Sequence, residues 1–187
     1  AAMRYVISRS ADWSTERDIA AAFWYRCQRL GAEALAYPII AAHGDNACTL
    51  HYTRNNKSLK AGHCILMDAG CEWLGYAADL TRTWPISGSF SVQQRAIYEA
   101  VLHAQETCIQ AIRPGVPWRR IQHEAEKVIL NALIDLGILR IPREEALREK
   151  TYRRFFPHGI GHSLGMDVHD PSPGSAMWTL RENQVLT

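Results

Sequence analysis

Two aspartates interrupt segments that otherwise read as apolar strands: Asp68 in "HCILMDAG" (63–70) and Asp79 in "GYAADLTRTW" (75–84). A buried carboxylate without a partner is costly, so such groups are normally paired, protonated or bound to a metal. Two of them on neighbouring strands also repel one another unless a proton or a cation sits between. Their 11-residue separation, across a short turn near Cys71–Leu74, lets both side chains face the same side of a twisted hairpin. A cation bridging two hard oxygen ligands answers both problems at once. Two other readings stay open on the hairpin alone. "DAG" is also a turn signal, which would make the aspartates turn formers, and Arg82 could pair with Asp79 in a structural ion pair.

A second concentration of chemistry lies in "FFPHGIGHSLGMDVHD" (155–170), which carries His158, His162 and His169 with Asp167 and Asp170. His158 and His162 have the H-x-x-x-H spacing of the helical zinc motif. The general-base glutamate of that motif is absent, and Gly159 and Gly161 disfavour a regular helix. Glycines beside a histidine instead permit tight turns and close approach of a substrate. One imidazole as a metal ligand, with others carrying protons or contacting substrate, is a sensible division of labour. Mixed Asp/His ligation suits a hard or borderline divalent ion, with Mn²⁺, Co²⁺ and Zn²⁺ all compatible. A pair of ions would need more carboxylates than these two. Such a pair, with a hydroxide attacking a polarised carbonyl, does hydrolysis.

The elements around these residues follow from periodicity. Ile19, Phe23, Arg26, Cys27 and Leu30 predict a helix over Ser14–Leu30, capped by Ser14 or Thr15 and stopped by Gly31. "LAYPIIAAHGDNACTLHYTRNN" reads as extended and turn-rich. A helix opens at Ser91-Val-Gln-Gln94 with Ile97, Val101, Ala104, Cys108 and Ile112 on one stripe, ending at Pro114-Gly115. Another runs from about Pro117 to Leu136, with Ile121, Ala125, Val128, Ile129, Leu133 and Leu136 inward, and a short charged helix covers Arg143–Lys150. Trp73, Trp84, Trp118 and Trp178 read as packing residues, and Cys64 and Cys71 as buried small ones.

The bulk numbers narrow the partners. The 187 residues are 47% hydrophobic and 21% charged with a net charge of +2, an ordinary globular composition with scattered charge. No nucleic-acid or membrane partner is indicated; the pairs Arg119-Arg120 and Arg153-Arg154 read as solvated faces. No apolar run is long enough to cross a bilayer, and the N-terminal residues lack a secretory apolar region. Five cysteines without a C-x-x-C pair fit a reducing, intracellular compartment.

"DAGCEWLGYAADLTRTWP", "TLHYTRNN" and "HGIGHSLGMDVHD", in this order and at these separations, strongly resemble the aminopeptidase P (Xaa-Pro aminopeptidase) branch of the pita-bread metallopeptidases. The specific signatures are D-x-T-R-T at Asp79–Thr83 and H-x-x-G-H-x-x-G-x-x-x-H at His158–His169. The resemblance implies an α+β pita-bread (creatinase/aminopeptidase) fold, a curved antiparallel sheet covered by helices. It implies two divalent metal ions, Mn²⁺ first with Zn²⁺ or Co²⁺ compatible. Asp68 then looks like the carboxylate holding one ion, Asp79 like the one bridging both, and His162 like the single imidazole ligand. His51 and His169 resemble the histidines that contact substrate and help with proton transfer, and His158 matches a position near the substrate pocket. The implied reaction is two-metal hydroxide attack that removes the N-terminal residue of peptides with proline second. The imide nitrogen has no hydrogen and the ring fixes φ, so such bonds need a dedicated pocket. Association into a homo-oligomer, in the cytoplasm or the mitochondrion, is the accompanying expectation.

The family completes its metal site with two downstream glutamates, the first in an E-P-G motif after a segment like "RENQVLT". The expectation is therefore that residues 1–187 form part of the pita-bread catalytic domain, incomplete at both ends and without an N-terminal domain or the glutamate-bearing strands. Asp68, Asp79 and His162 alone provide poorly for two ions, so the isolated chain is expected to bind metal weakly and catalyse poorly. Two alternatives accompany this reading. One is a pita-bread module that binds peptides or proteins without catalysis. The other is a prolidase-type dipeptidase, which a comparison of dipeptides with longer Xaa-Pro peptides separates.

Overall fold

A computed structural model describes residues 1–174 and 177–187. The chain divides into two compact units, one made of Ala1–Ser91, Ser163–Asp170 and Thr187, the other of Val92–His162 and Pro171–Leu186.

In the first unit, helix α1 (Ala2–Ser8) packs against helix α2 (Glu16–Arg29). Thr15 caps α2 as its sequence predicts. The Thr15 hydroxyl accepts from the Asp18 amide, and Asp18 reaches back to the Thr15 amide at 2.8 Å, a reciprocal capping box. Ile19, Phe23 and Cys27 fall at helical spacing on the buried face of α2. They meet Ile65 and Met67 from the sheet beneath, and Ile19, Ile65 and Met67 are wholly enclosed. Burying a side chain of this size contributes roughly 1.5–3 kcal/mol.

Among the described residues, six short strands make two antiparallel three-stranded sheets: β1 (Ala34–Leu35), β4 (Cys71–Trp73) and β5 (Tyr76–Ala77) in one, and β2 (Ile40–His43), β3 (Cys64–Asp68) and β6 (Thr81–Pro85) in the other. The hairpin expected around Asp68 and Asp79 is present, with a correction to its turn. Cys71–Trp73 is strand, and the reversal falls at Leu74 and Gly75, both in the left-handed region at φ 51° and 75°. The two arms run side by side from Cys64 to Trp73 and from Tyr76 to Pro85, crossing from one sheet to the other midway. At that crossing the ladder is held by bonds from the Ala69 amide to the Leu80 carbonyl and from the Ala78 amide to the Cys71 carbonyl. The strand predicted over 75–84 is therefore two strands with a kink between them.

Gly70 sits at the kink because nothing larger fits. A β-carbon there would stand 1.6 Å from the Ala78 carbonyl oxygen and 3.1 Å from the Tyr37 ring. Asp68 lies just before the kink on one arm, and Asp79 lies in it on the other.

Glu16, the first residue of α2, is completely buried. Its carboxylate receives four hydrogen bonds, from the His43 and Lys57 amides, the Asn46 side chain and the Tyr52 hydroxyl. Burial works to raise its pKa, but those bonds prevail and hold it below the usual carboxylate range.

In the second unit, α3 (Val92–Ala111) packs on α4 (Trp118–Asp135), and α5 (Arg143–Glu149) closes over the end of α4. Leu130, Leu133, Leu139, Ala146 and Tyr152 form one cluster there, and Cys108, Ile121 and Ala125 another. Trp118 stacks on Trp178 at 4.5 Å between ring centroids. The predicted stripes are only partly buried. Ala104 and Cys108 are enclosed, whereas Ile97, Val101 and Ile112 on α3 and Leu136 at the end of α4 stand exposed. Trp73 is also a correction: it is 61% exposed beside the tight turn, while Trp84, Trp118 and Trp178 pack as expected. Cys64 and Cys71 are half-buried rather than enclosed. No helix among the described residues is long and apolar enough to cross a membrane.

The kink yields a test of the fold. Gly70→Ala forces the Ala78 carbonyl away and, through it, Asp79 and Tyr37. It should destabilise the protein by about 3 kcal/mol or more, at or beyond the upper end of overpacking costs, as read by denaturant melts. A variant melting like the wild type would show that the two arms are not held this closely.

Candidate functional site

The kink brings Asp68 and Asp79 to one phenol. The Tyr37 oxygen lies 2.5 Å from Asp68 Oδ1 and 2.8 Å from Asp79 Oδ1. Tyr37 arrives there because β1 pairs with β4 and the Ala36 amide then bonds the Gly70 carbonyl, which aims the next residue across the kink. Tyr37 was not anticipated from the sequence. Its only local signal is an aromatic residue ahead of Pro38, and no spacing ties it to either aspartate.

Burial and mutual charge set the electrostatics of this trio. Burial and the nearby Asp79 charge lift Asp68 above the usual carboxylate range, against opposing hydrogen bonds from Tyr37 and Thr81. Burial, then Asp68 and Asp79, push the Tyr37 phenol far above its ordinary value, so it stays a donor. One phenolic proton serves two carboxylate oxygens, and donating to one leaves the other contact to be balanced by a second proton or by positive charge. The donor set therefore fits a divalent ion with hard oxygen ligands. Arg82 is not that charge: its guanidinium turns to the Thr81 carbonyl at 2.7 Å. Burial raises the Cys64 thiol and pushes Cys27 up to about 12 with help from neighbouring Cys71, which keeps these sulfurs neutral.

Among the described residues, no group of three or more His, Cys, Asp or Glu is gathered as a metal cage. The predicted site residues fall in both units. Asp68, Asp79, His51 and His169 belong to the first, and His158 and His162 to the second. His51 is exposed and left-handed, at φ 55°, just after the short helical turn Gly44–Cys48. The loop carrying His169 is tied to β5, since the Ala77 amide donates to the Gly165 carbonyl at 2.9 Å. Asp170 braces that loop from within. Its carboxylate lies so close under Gly165 that a β-carbon there would meet it at 2.8 Å, and it accepts from the Asp167 amide. In the second unit, exposed His158 packs edge-on against Phe156 at 4.8 Å. It lines a cavity of about 370 Å³ with Trp118, Gln122 and Arg153. Half-buried His162 ends the segment that Gln122 fixes by accepting from the Ile160 amide.

The fold defines the class: an α+β pita-bread domain of the aminopeptidase P kind. It overlays aminopeptidase P from Escherichia coli, in its low-pH form, with a TM-score of 0.95 at 35% identity, covering 99% of this chain and 42% of that one. Proline aminopeptidase P II from Yersinia pestis overlays with a TM-score of 0.92 at 36% identity, covering 99% of this chain and 44% of that one. A probable Xaa-Pro aminopeptidase of Fusarium vanettenii is 46% identical over 169 residues, covering 90% of this chain and 37% of its own length. Another, of Metarhizium robertsii, is 45% identical over 172 residues, covering 92% of this chain and 34% of its own. The sequence model of metallopeptidase family M24 matches residues 1–187, and the chain belongs to that family. The chain spans about a third of the length of these curated relatives.

The phenol gives the site its test. In the full-length protein, Tyr37→Phe should weaken Mn²⁺ binding about 10- to 100-fold, the usual cost of losing a group that orients a ligand. Unchanged affinity by calorimetric titration would reduce Tyr37 to a packing role.

Proposed function

We propose that the protein containing this chain is a divalent-metal aminopeptidase that removes the N-terminal residue from peptides with proline in second position. The observation that carries this reading is the convergence of Asp68 and Asp79 under Tyr37, at the kink of a hairpin bearing the D-x-T-R-T signature. Similarity to Xaa-Pro aminopeptidases over nine-tenths of the chain supports it.

Two divalent ions, Mn²⁺ first with Zn²⁺ or Co²⁺ compatible, would supply Lewis acidity to the scissile carbonyl and acidity to the attacking water. Asp68 would hold one of them, Asp79 would bridge both, and His162 would be the imidazole ligand. Tyr37 keeps the two carboxylates in register by donating its proton to them. His51 and His169 would contact substrate and carry protons, and His158 would line the path along which the peptide enters. Two carboxylates and one imidazole give at most two negative charges, so further acidic ligands must come from outside these residues. The 187-residue chain alone is expected to be a poor catalyst. Five cysteines without a C-x-x-C pair suit a reducing compartment, cytoplasmic or mitochondrial.

The test uses the full-length protein with Mn²⁺ and three peptides: Xaa-Pro-Xaa, Xaa-Ala-Xaa and the dipeptide Xaa-Pro. Release of the first residue from Xaa-Pro-Xaa, with little from the other two, is expected. Cleavage confined to the dipeptide would make it a prolidase-type enzyme. Tight binding of Xaa-Pro-Xaa without cleavage would make it a binding module.

A further inference from the structure

His51 is exposed, yet the backbone of the segment that carries it is held at several points from beneath. The Tyr52 hydroxyl and the Lys57 amide both donate to Glu16 Oε2, at 2.8 and 2.9 Å. The other oxygen, Oε1, takes the His43 amide and the Asn46 side chain at 2.8 Å each, fixing the turn that precedes His51. The Glu16 amide in turn donates to the Lys57 carbonyl. Asn55 adds a second clasp, accepting from the Ala41 amide and donating to the Ile39 carbonyl. Ile40, between those two residues, pairs in register with Asp68. Both ends of the stretch 43–57 are therefore tied to one carboxylate, and its middle holds His51 in a left-handed conformation that a non-glycine residue seldom adopts.

We propose that Glu16 is a positioning residue for His51, fixing the backbone on both sides of that histidine and hence where its imidazole stands relative to the strand that ends in Asp68. This rests on the peptidase reading of His51 given above. Glu16 touches no reacting atom and acts only through the loop.

The chemistry of the carboxylate makes the proposal testable. Each of its oxygens faces a backbone N–H, from His43 on one side and Lys57 on the other. An amide in its place must point an NH₂ group at one of them. The side chains of Asn46 and Tyr52 can turn to adapt, but a backbone N–H cannot. Glu16→Gln thus keeps size and shape while releasing one end of the stretch.

The experiment is a cycle in the full-length protein: wild type, Glu16→Gln, His51→Ala and the double variant, assayed for kcat/KM on Xaa-Pro-Xaa well below each melting temperature. Glu16→Gln should lower kcat/KM on the order of 10- to 100-fold, as expected for a misplaced group. In the His51→Ala background the same change should have no further effect. Provided His51→Ala itself lowers kcat/KM, equal factors in both backgrounds, or an unchanged kcat/KM in Glu16→Gln, would overturn the proposal. If Glu16→Gln does not fold, Tyr52→Phe, which removes one donor to the same carboxylate, takes its place in the cycle under the same two criteria.

A readout independent of activity separates this proposal from the peptidase reading. In protein labelled with ¹³C-histidine and free of metal, Glu16→Gln should shift and broaden the His51 ring resonance while leaving that of His169 in place. An unmoved His51 resonance would refute the positioning role. If His51→Ala is fully active but Glu16→Gln still moves that resonance, the positioning stands and only the catalytic reading of His51 fails.

Discussion

Two carboxylates that share one phenol dominate this structure. Asp68 and Asp79 come from opposite arms of one hairpin, and each lies within hydrogen-bond distance of the Tyr37 oxygen. Like charges at such separation repel by several kcal/mol at protein-surface dielectric, on the order of 4 kcal/mol at 4 Å. The fold tolerates that repulsion because the kinked hairpin has no slack. Gly70 lets the backbone arms touch, the Leu74–Gly75 turn fixes their register, and β1 delivers Tyr37 across the gap. In the function proposed above, a divalent cation held by both carboxylates would offset that repulsion.

Glu16 makes the contrast. It is more deeply buried than either aspartate, yet it meets four donors and is held ionised below the usual carboxylate range. Asp68 has fewer donors and a neighbouring negative charge, and is lifted above that range. The same chemical group is a scaffold in one place and a ligand candidate in the other. The difference is the number of donors turned toward it. A saturated carboxylate has no lone pair to offer a metal, while an undersupplied one does.

The sequence revealed those parts whose signal is local. The cap at Thr15, the stops at Gly31 and Pro114, and the charged helix after Pro142 all depend on residues within one or two turns. The aspartate pair was also legible, because a carboxylate inside an apolar strand is conspicuous whatever the tertiary structure. Tyr37 was not, since its partners lie 31 and 42 residues away and an aromatic residue before a proline carries no message about carboxylates. Glu16 was hidden differently: an acidic residue in the first turn of a helix reads as an exposed partner for the helix dipole. The exposed side of α3 also escaped the periodicity argument. A stripe of Ile97, Val101 and Ile112 records that a face is apolar, not what covers it.

The central claim is that Asp68 and Asp79 form one cation site. The most direct test is to equilibrate the full-length protein and its Asp79→Asn variant with Mn²⁺, dialyse, and count bound ions by elemental analysis. Asn keeps the shape and the contact to Tyr37 but removes one charge. The account predicts two ions retained by the wild type and none, or one that dialyses away, in the variant. Equal retention of Mn²⁺ by both proteins would mean that the ions sit elsewhere and that the pair beneath Tyr37 is not a metal site.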